Sequence, residues 1–241
     1  MIKIVISFIS ILVLSIFAVT CTSQNGTIDV KQEPHYVRKN LNPDSDSGSV
    51  LILLHGYGSN EDDLLGLKQM FPSSGCVISF RAPIEIGRGA FCWFPIQGHD
   101  GGAQVDTTQY YQSGTLLMRW IEATLEKEKL QGRKLFIAGF SQGAMMSYEM
   151  VRRYADRFDG VIGFSGSDKA LKHLSPASNC GADILMTHGK ADQVLMYDSG
   201  QEAKKMLEKC GANVEFYAFD GGHQIPSSVV YKAADWLRLR W

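Results

Sequence analysis

Gly139-Phe140-Ser141-Gln142-Gly143 fits the pattern G-x-S-x-G, directly after the apolar run Leu135–Ala138 and directly before a segment with helical spacing. A serine on a sharp strand-to-helix turn has its Oγ lifted above the sheet, where the helix N-terminus favours developing negative charge. The flanking glycines let strand and helix approach without side-chain clashes. Gly163-Phe164-Ser165-Gly166-Ser167 partly repeats the pattern, but it ends in Ser167 and no helix follows at once, so it reads as an ordinary loop.

A serine hydroxyl is almost entirely un-ionised at neutral pH. It needs a base within hydrogen-bond reach, and the base needs a carboxylate to hold it. On this kind of turn the chain order is Ser, then acid, then His. Of the six histidines, His35, His55 and His99 precede Ser141 and fail that order. His188 would need its acid before it, and His173 lies in a polar loop. His223, in Asp220-Gly221-Gly222-His223, follows an apolar run and is the predicted base. Asp192, in His188-Gly189-Lys190-Ala191-Asp192, is the predicted acid, with Asp168 as its competitor and Asp198 read as a helix cap. Attack on an acyl carbon places charge on oxygen, so backbone donors must wait there. The predicted pair is the N–H of Gln142 and the N–H of Tyr57, the latter in the glycine-bearing loop Leu54-His55-Gly56-Tyr57-Gly58. His55 reads as a buried structural histidine.

Elements that could carry these groups alternate along the chain. Short unbroken apolar runs at Val50–Leu54, Val77–Phe80, Leu135–Phe140, Val161–Phe164, Ile184–Thr187 and Val214–Phe219 read as strands buried on both faces. His35–Lys39 reads as an edge strand. Helical spacing occupies Glu61–Met70 (with Asn60 as its cap), Thr107–Leu130, Ala144–Tyr154, Gly200–Leu207 and Val229–Trp241. The implied architecture is α/β with a mostly parallel central sheet and helices on both faces, whose chemistry sits at the carboxyl ends of the strands. In 241 residues, 45% hydrophobic and 20% charged with a net charge of −1, no excess of cations exists to neutralise a phosphate backbone, which excludes nucleic acid as the main partner. No Cys-x-x-Cys spacing suggests zinc, and no metal or cofactor is expected.

Residues 1–20, with Lys3 followed by the apolar run Ile4–Val19, read as a signal peptide. Ala18-Val19-Thr20-Cys21 resembles a bacterial lipobox, which makes Cys21 a candidate lipid-bearing N-terminus, membrane attachment its consequence, and the periplasm or membrane the expected location. Residues 21–48 read as a polar linker with the edge strand, and 49–241 as one catalytic domain. Cys76, Cys92, Cys180 and Cys210 allow three pairings. Cys180 and Cys210 each precede a strand of a parallel sheet, so a bridge there is one outcome and buried thiols the other.

Leu53-Leu54-His55-Gly56-Tyr57-Gly58, Arg81-Ala82-Pro83, Trp93-Phe94, Gly139–Ala144, His188-Gly189-x-x-Asp192-x-Val194 and Gly221-Gly222-His223-x-Ile225 together resemble the phospholipase/carboxylesterase family. The resemblance spans about residues 50 to 230. It implies the α/β-hydrolase fold, a triad of Ser141, Asp192 and His223, and oxyanion amides at Tyr57 and Gln142. It further implies hydrolysis of small esters or thioesters through an acyl-enzyme. The Gly87–Gly102 segment departs in length, and Trp93 and Phe94 read either as the acyl-side wall of the pocket or as core. An amidase or peptidase on the same triad, or a binding lipoprotein without catalysis, are the alternatives on this scaffold.

Overall fold

The computed structural model describes residues 28–29, 31–42, 47–99, 102–167 and 180–241. The leader, Cys21, Asp168 and His173 lie outside the described residues.

Among the described residues, seven strands form the central sheet: β1 (Tyr36–Asn40), β2 (Val50–Leu54), β3 (Cys76–Phe80), β8 (Leu135–Phe140), β9 (Gly160–Phe164), β10 (Asp183–Gly189) and β11 (Asn213–Phe219), in the spatial order β1-β3-β2-β8-β9-β10-β11. All neighbours are parallel except β1, which pairs antiparallel with β3 through Tyr36↔Phe80 and Asn40↔Cys76. Two hairpins leave the sheet after β3: β4 (Ile84–Gly87) with β5 (Ala90–Cys92), and β6 (Ile96–His99) with β7 (Gly102–Val105).

The unbroken apolar runs are explained by two-sided burial. Val50, Ile52 and Leu54 face one layer, which holds α1 (Thr107–Lys127), α2 (Gln142–Arg153) and α3 (Tyr197–Lys209). Leu51 and Leu53 face the other, which holds α4 (Ser227–Arg238) through Val229, Ala233, Trp236 and Leu237. Because side chains alternate along a strand, both parities must be apolar. Ile28, from the stretch read as a polar linker, is buried in the first of these cores.

Some expectations change. Glu61–Met70 is not one helix but two 3-10 turns, Asp63–Gly66 and Lys68–Met70, with Leu67 between them. Asn60 Oδ1 accepts from Asp62 N–H at 3.0 Å, a local turn rather than a helix cap. Asp198 lies inside the first turn of α3, where its charge complements the helix dipole, and Met196 occupies the cap position. Cys180 and Cys210 are bridged, with Cα atoms 5.2 Å apart, while Cys76 and Cys92 are buried and stand outside the bridge.

Candidate active site

β8 sits at the centre of the sheet, so the turn after it has neighbours on both sides. Ser141 adopts φ 54° and ψ −112°, a left-handed conformation that costs a residue with a Cβ roughly 1–3 kcal/mol. The surroundings hold it there. Ser141 N–H donates to Phe164 O at 2.8 Å, and Ser141 O accepts from Met145 N–H as α2 begins. A Cβ on Gly139 would strike the Gly143 carbonyl, and one on Gly143 would strike the Leu54 carbonyl. Both flanking glycines are therefore demanded by backbone contact.

His223 arrives on the loop after β11 and Asp192 on the loop after β10. His223 Nδ1 lies 2.7 Å from Asp192 Oδ2, and His223 Nε2 lies 2.9 Å from Ser141 Oγ. The Phe140 ring packs beside the imidazole at 4.9 Å between centroids. The structure thus brings the three residues chosen from chain order into one relay.

Asp192 is buried and its remaining oxygen is fully engaged. Oδ1 accepts from the N–H groups of Val194 and Leu195, each at 2.9 Å. Burial by itself would raise its pKa. Hydrogen bonds from His188 and His223, and from the Leu195 backbone, outweigh that and hold the carboxyl well below the usual carboxylate range. His188 was passed over by chain order, yet it is buried with its Nε2 2.8 Å from Leu195 O and 3.4 Å from Asp192 Oδ2. The spacing His188-x-x-x-Asp192 was the available signal: His188 is the last residue but one of β10, and Asp192 closes the turn that starts at Gly189.

Tyr57, one expected oxyanion amide, lies on the loop after β2, and Gln142, the other, is the first residue of α2. Gln142 belongs to the first turn, whose N–H groups have no intrahelical acceptor. Gly58, at φ +78°, turns the other loop, and a Cβ on Gly56 would press on the Phe140 ring at 3.1 Å. His55 is buried. Its Nε2 accepts from Ala82 N–H at 3.0 Å and its Nδ1–H donates to Gly56 O at 2.7 Å, and burial lowers its pKa, which keeps the ring neutral for those roles.

Trp93 and Phe94 are corrected as candidates for an open pocket wall. Both are fully enclosed: the Trp93 indole N–H donates to His55 O at 2.9 Å, and Phe94 meets the Tyr110 ring edge-on at 4.9 Å. They brace the site from behind. Tyr57 on the loop after β2, and Val194 and Met196 on the loop after β10, supply exposed apolar surface.

Among the described residues, no group of three or more His, Cys, Asp or Glu side chains could hold a metal ion. A parallel sheet carrying a strained serine, an imidazole and a buried carboxylate at its carboxyl edge defines a serine hydrolase of the α/β-hydrolase fold. Residues 40–240 match the model of one family, and the chain belongs to it: Phospholipase/Carboxylesterase. The chain is 28% identical over 200 residues to acyl-protein thioesterase 1 homolog 1 of Dictyostelium discoideum, covering 78% of this chain and 87% of the relative. It is 25% identical over 215 residues to carboxylesterase SOBER1 of Arabidopsis thaliana, covering 80% and 90%. The Bacillus cereus carboxylesterase shares the fold with a TM-score of 0.77 at 23% identity, covering 91% of this chain and 100% of that one.

Proposed function

We propose that Ser141, His223 and Asp192 are the nucleophile, base and acid of this serine esterase, and that it works outside the cytoplasm. The observation that carries the assignment is the position of His223, with one ring nitrogen on Ser141 Oγ and the other on Asp192. The Ser141 Oγ–H proton passes to His223 Nε2 as Oγ attacks the ester carbonyl, and Asp192 holds Nδ1–H so that Nε2 is free to accept it. The amides of Tyr57 and Gln142 face the oxygen that becomes charged. His223 then protonates the departing alcohol or thiol, which leaves an acyl group on Ser141. Water attacks the acyl carbon, gives its proton to His223, and the acid departs with the serine restored. The names of the relatives and the apolar surface of Tyr57, Val194 and Met196 favour carboxylic esters or thioesters of small to medium acyl groups.

Support for export comes from the leader at 1–20 and from the Cys180–Cys210 bridge, since disulfides persist in oxidising compartments. Cys21 is the residue that would carry a lipid. Mass spectrometry of the mature N-terminus tests this: a diacylated Cys21 supports anchoring, and an unmodified N-terminus beyond it indicates release.

The activity is tested with p-nitrophenyl esters from acetate to dodecanoate, alongside matched anilides, using parent and Ser141→Ala. Ester turnover that vanishes in the variant and greatly exceeds anilide turnover supports the reading. Anilide turnover equal to ester turnover would instead favour an amidase.

A further inference from the structure

The two oxyanion amides belong to different elements, and a site of this kind works only if its donors are held within about 0.5 Å of the productive geometry. The segment Phe91–Phe94 runs from one to the other. At its start, Phe91 bridges Ser59: Phe91 N–H donates to Ser59 O at 2.9 Å, and Gly58 N–H donates to Phe91 O at 2.8 Å. Those bonds pin the residues directly after Tyr57. At the far end the Gln142 side chain, 1% exposed, grips the same segment twice. Its Oε1 accepts from Trp93 N–H at 2.8 Å, and its Nε2 donates to Phe94 O at 2.6 Å. Between the two, the Trp93 indole N–H donates to His55 O, and His55 in turn bonds Gly56 O. The Tyr57 loop, Phe91, Trp93 and Gln142 therefore close a ring of hydrogen bonds.

We propose that the Gln142 carboxamide is a positioning residue, which clamps Trp93 and Phe94 and so fixes the distance between its own backbone N–H and that of Tyr57. The inference rests on the esterase reading above and goes beyond it. Gln142 thus has two separable duties, its amide toward the substrate oxygen and its side chain toward the frame that holds the opposing amide. Methionine would fill the same volume but leave Trp93 N–H and Phe94 O without those partners. Glutamate would keep the acceptor for Trp93 and lose the donor to Phe94. Since the oxyanion exists only during reaction, a shifted pair of amides lowers turnover and leaves ground-state binding nearly untouched.

The full chain and its Gln142→Met and Gln142→Glu variants are assayed for kcat and KM on one p-nitrophenyl ester. The same proteins are titrated with an alkyl trifluoromethyl ketone, whose serine adduct carries an anionic oxygen. Thermal melts establish folding. The expected result is a fall in kcat of roughly 100-fold, comparable to losing one oxyanion donor, with KM within about threefold. Ketone affinity falls in parallel with kcat/KM. A folded Gln142→Met protein with kcat within about threefold of the parent overturns the inference, as does a loss confined to KM. Should the glutamine variants fail to fold, Trp93→Phe opens the middle joint while keeping an aromatic ring in place. A fall in kcat of about tenfold at constant KM supports the ring, and unchanged kcat overturns it. A parent inactive on every ester sinks the esterase reading and the inference with it, whereas an active parent with an indifferent Gln142 sinks the inference alone.

Discussion

Replacing Asp192 by Asn isolates what the acid does for the base. Oδ1 accepts the Val194 and Leu195 N–H groups, so the amide oxygen of an asparagine has two donors waiting on one side and keeps that place. Its NH2 group is then forced toward His223 Nδ1, and toward His188 Nε2. An NH2 group cannot accept from Nδ1–H, so the imidazole turns to the tautomer with its proton on Nε2. That nitrogen then donates to Ser141 Oγ and can no longer take its proton. The expected loss is roughly 10³–10⁴-fold in kcat, or about 4–5.5 kcal/mol of transition-state stabilisation, with a lowered melting temperature because the bonds from His188 and His223 to the carboxylate are lost. Asp192→Ala should lose as much activity and further stability, roughly 1 kcal/mol or more for each of the two amides left without an acceptor. Steady-state turnover of a p-nitrophenyl ester, paired with thermal melts, reads both effects. A folded Asp192→Asn protein within about tenfold of parental kcat would refute the tautomer argument.

Gly143→Ala places a methyl against the Leu54 and His55 carbonyls, all backbone, and should destabilise by roughly 1–3 kcal/mol while lowering kcat; urea midpoints and turnover check it. Burial would raise the Glu61 pKa, but the paired N–H bonds of Arg81 outweigh this and hold the carboxyl below its ordinary value. A depressed carboxyl stabilises the fold above its unfolded pKa and loses that contribution as pH falls through the folded one. Glu61→Gln should therefore cost roughly 1–3 kcal/mol near neutrality, a deficit that shrinks in melts below about pH 4. Opening the Cys180–Cys210 bridge, which spans 30 residues, should cost roughly 3–4 kcal/mol, read as the difference in unfolding midpoint between parent and a Cys180→Ser/Cys210→Ser double variant.

The meeting of Ser141, Asp192 and His223 was legible in the sequence because the proposed chemistry restricts chain order and each follows an apolar strand. The sheet was legible for a related reason: two-sided burial leaves β2 and β8 without a polar position, and β3 with the single small Ser79, to confuse the pattern. The hairpin β4–β5 was not, since its strands are only four and three residues long and alternate half-buried with exposed positions in β4. The side-chain duty of Gln142 was hidden for a different reason. It depends on the backbone of Trp93 and Phe94, 49 and 48 residues earlier, passing within reach, and no local pattern encodes that approach. His188 carried a local signal that chain order overrode, because a buried histidine that secures the acid loop need not follow the acid.

The most direct test of the central claim is reaction of the folded protein with an alkyl fluorophosphonate, followed by peptide mass spectrometry. One adduct per chain is expected, on Ser141, with ester hydrolysis lost in proportion and no labelling of Ser141→Ala. Ser165 offers an internal contrast, since it shares the positive φ, at 52°, but is buried away from solvent. An adduct on Ser165, or ester hydrolysis surviving full labelling of Ser141, would contradict that claim.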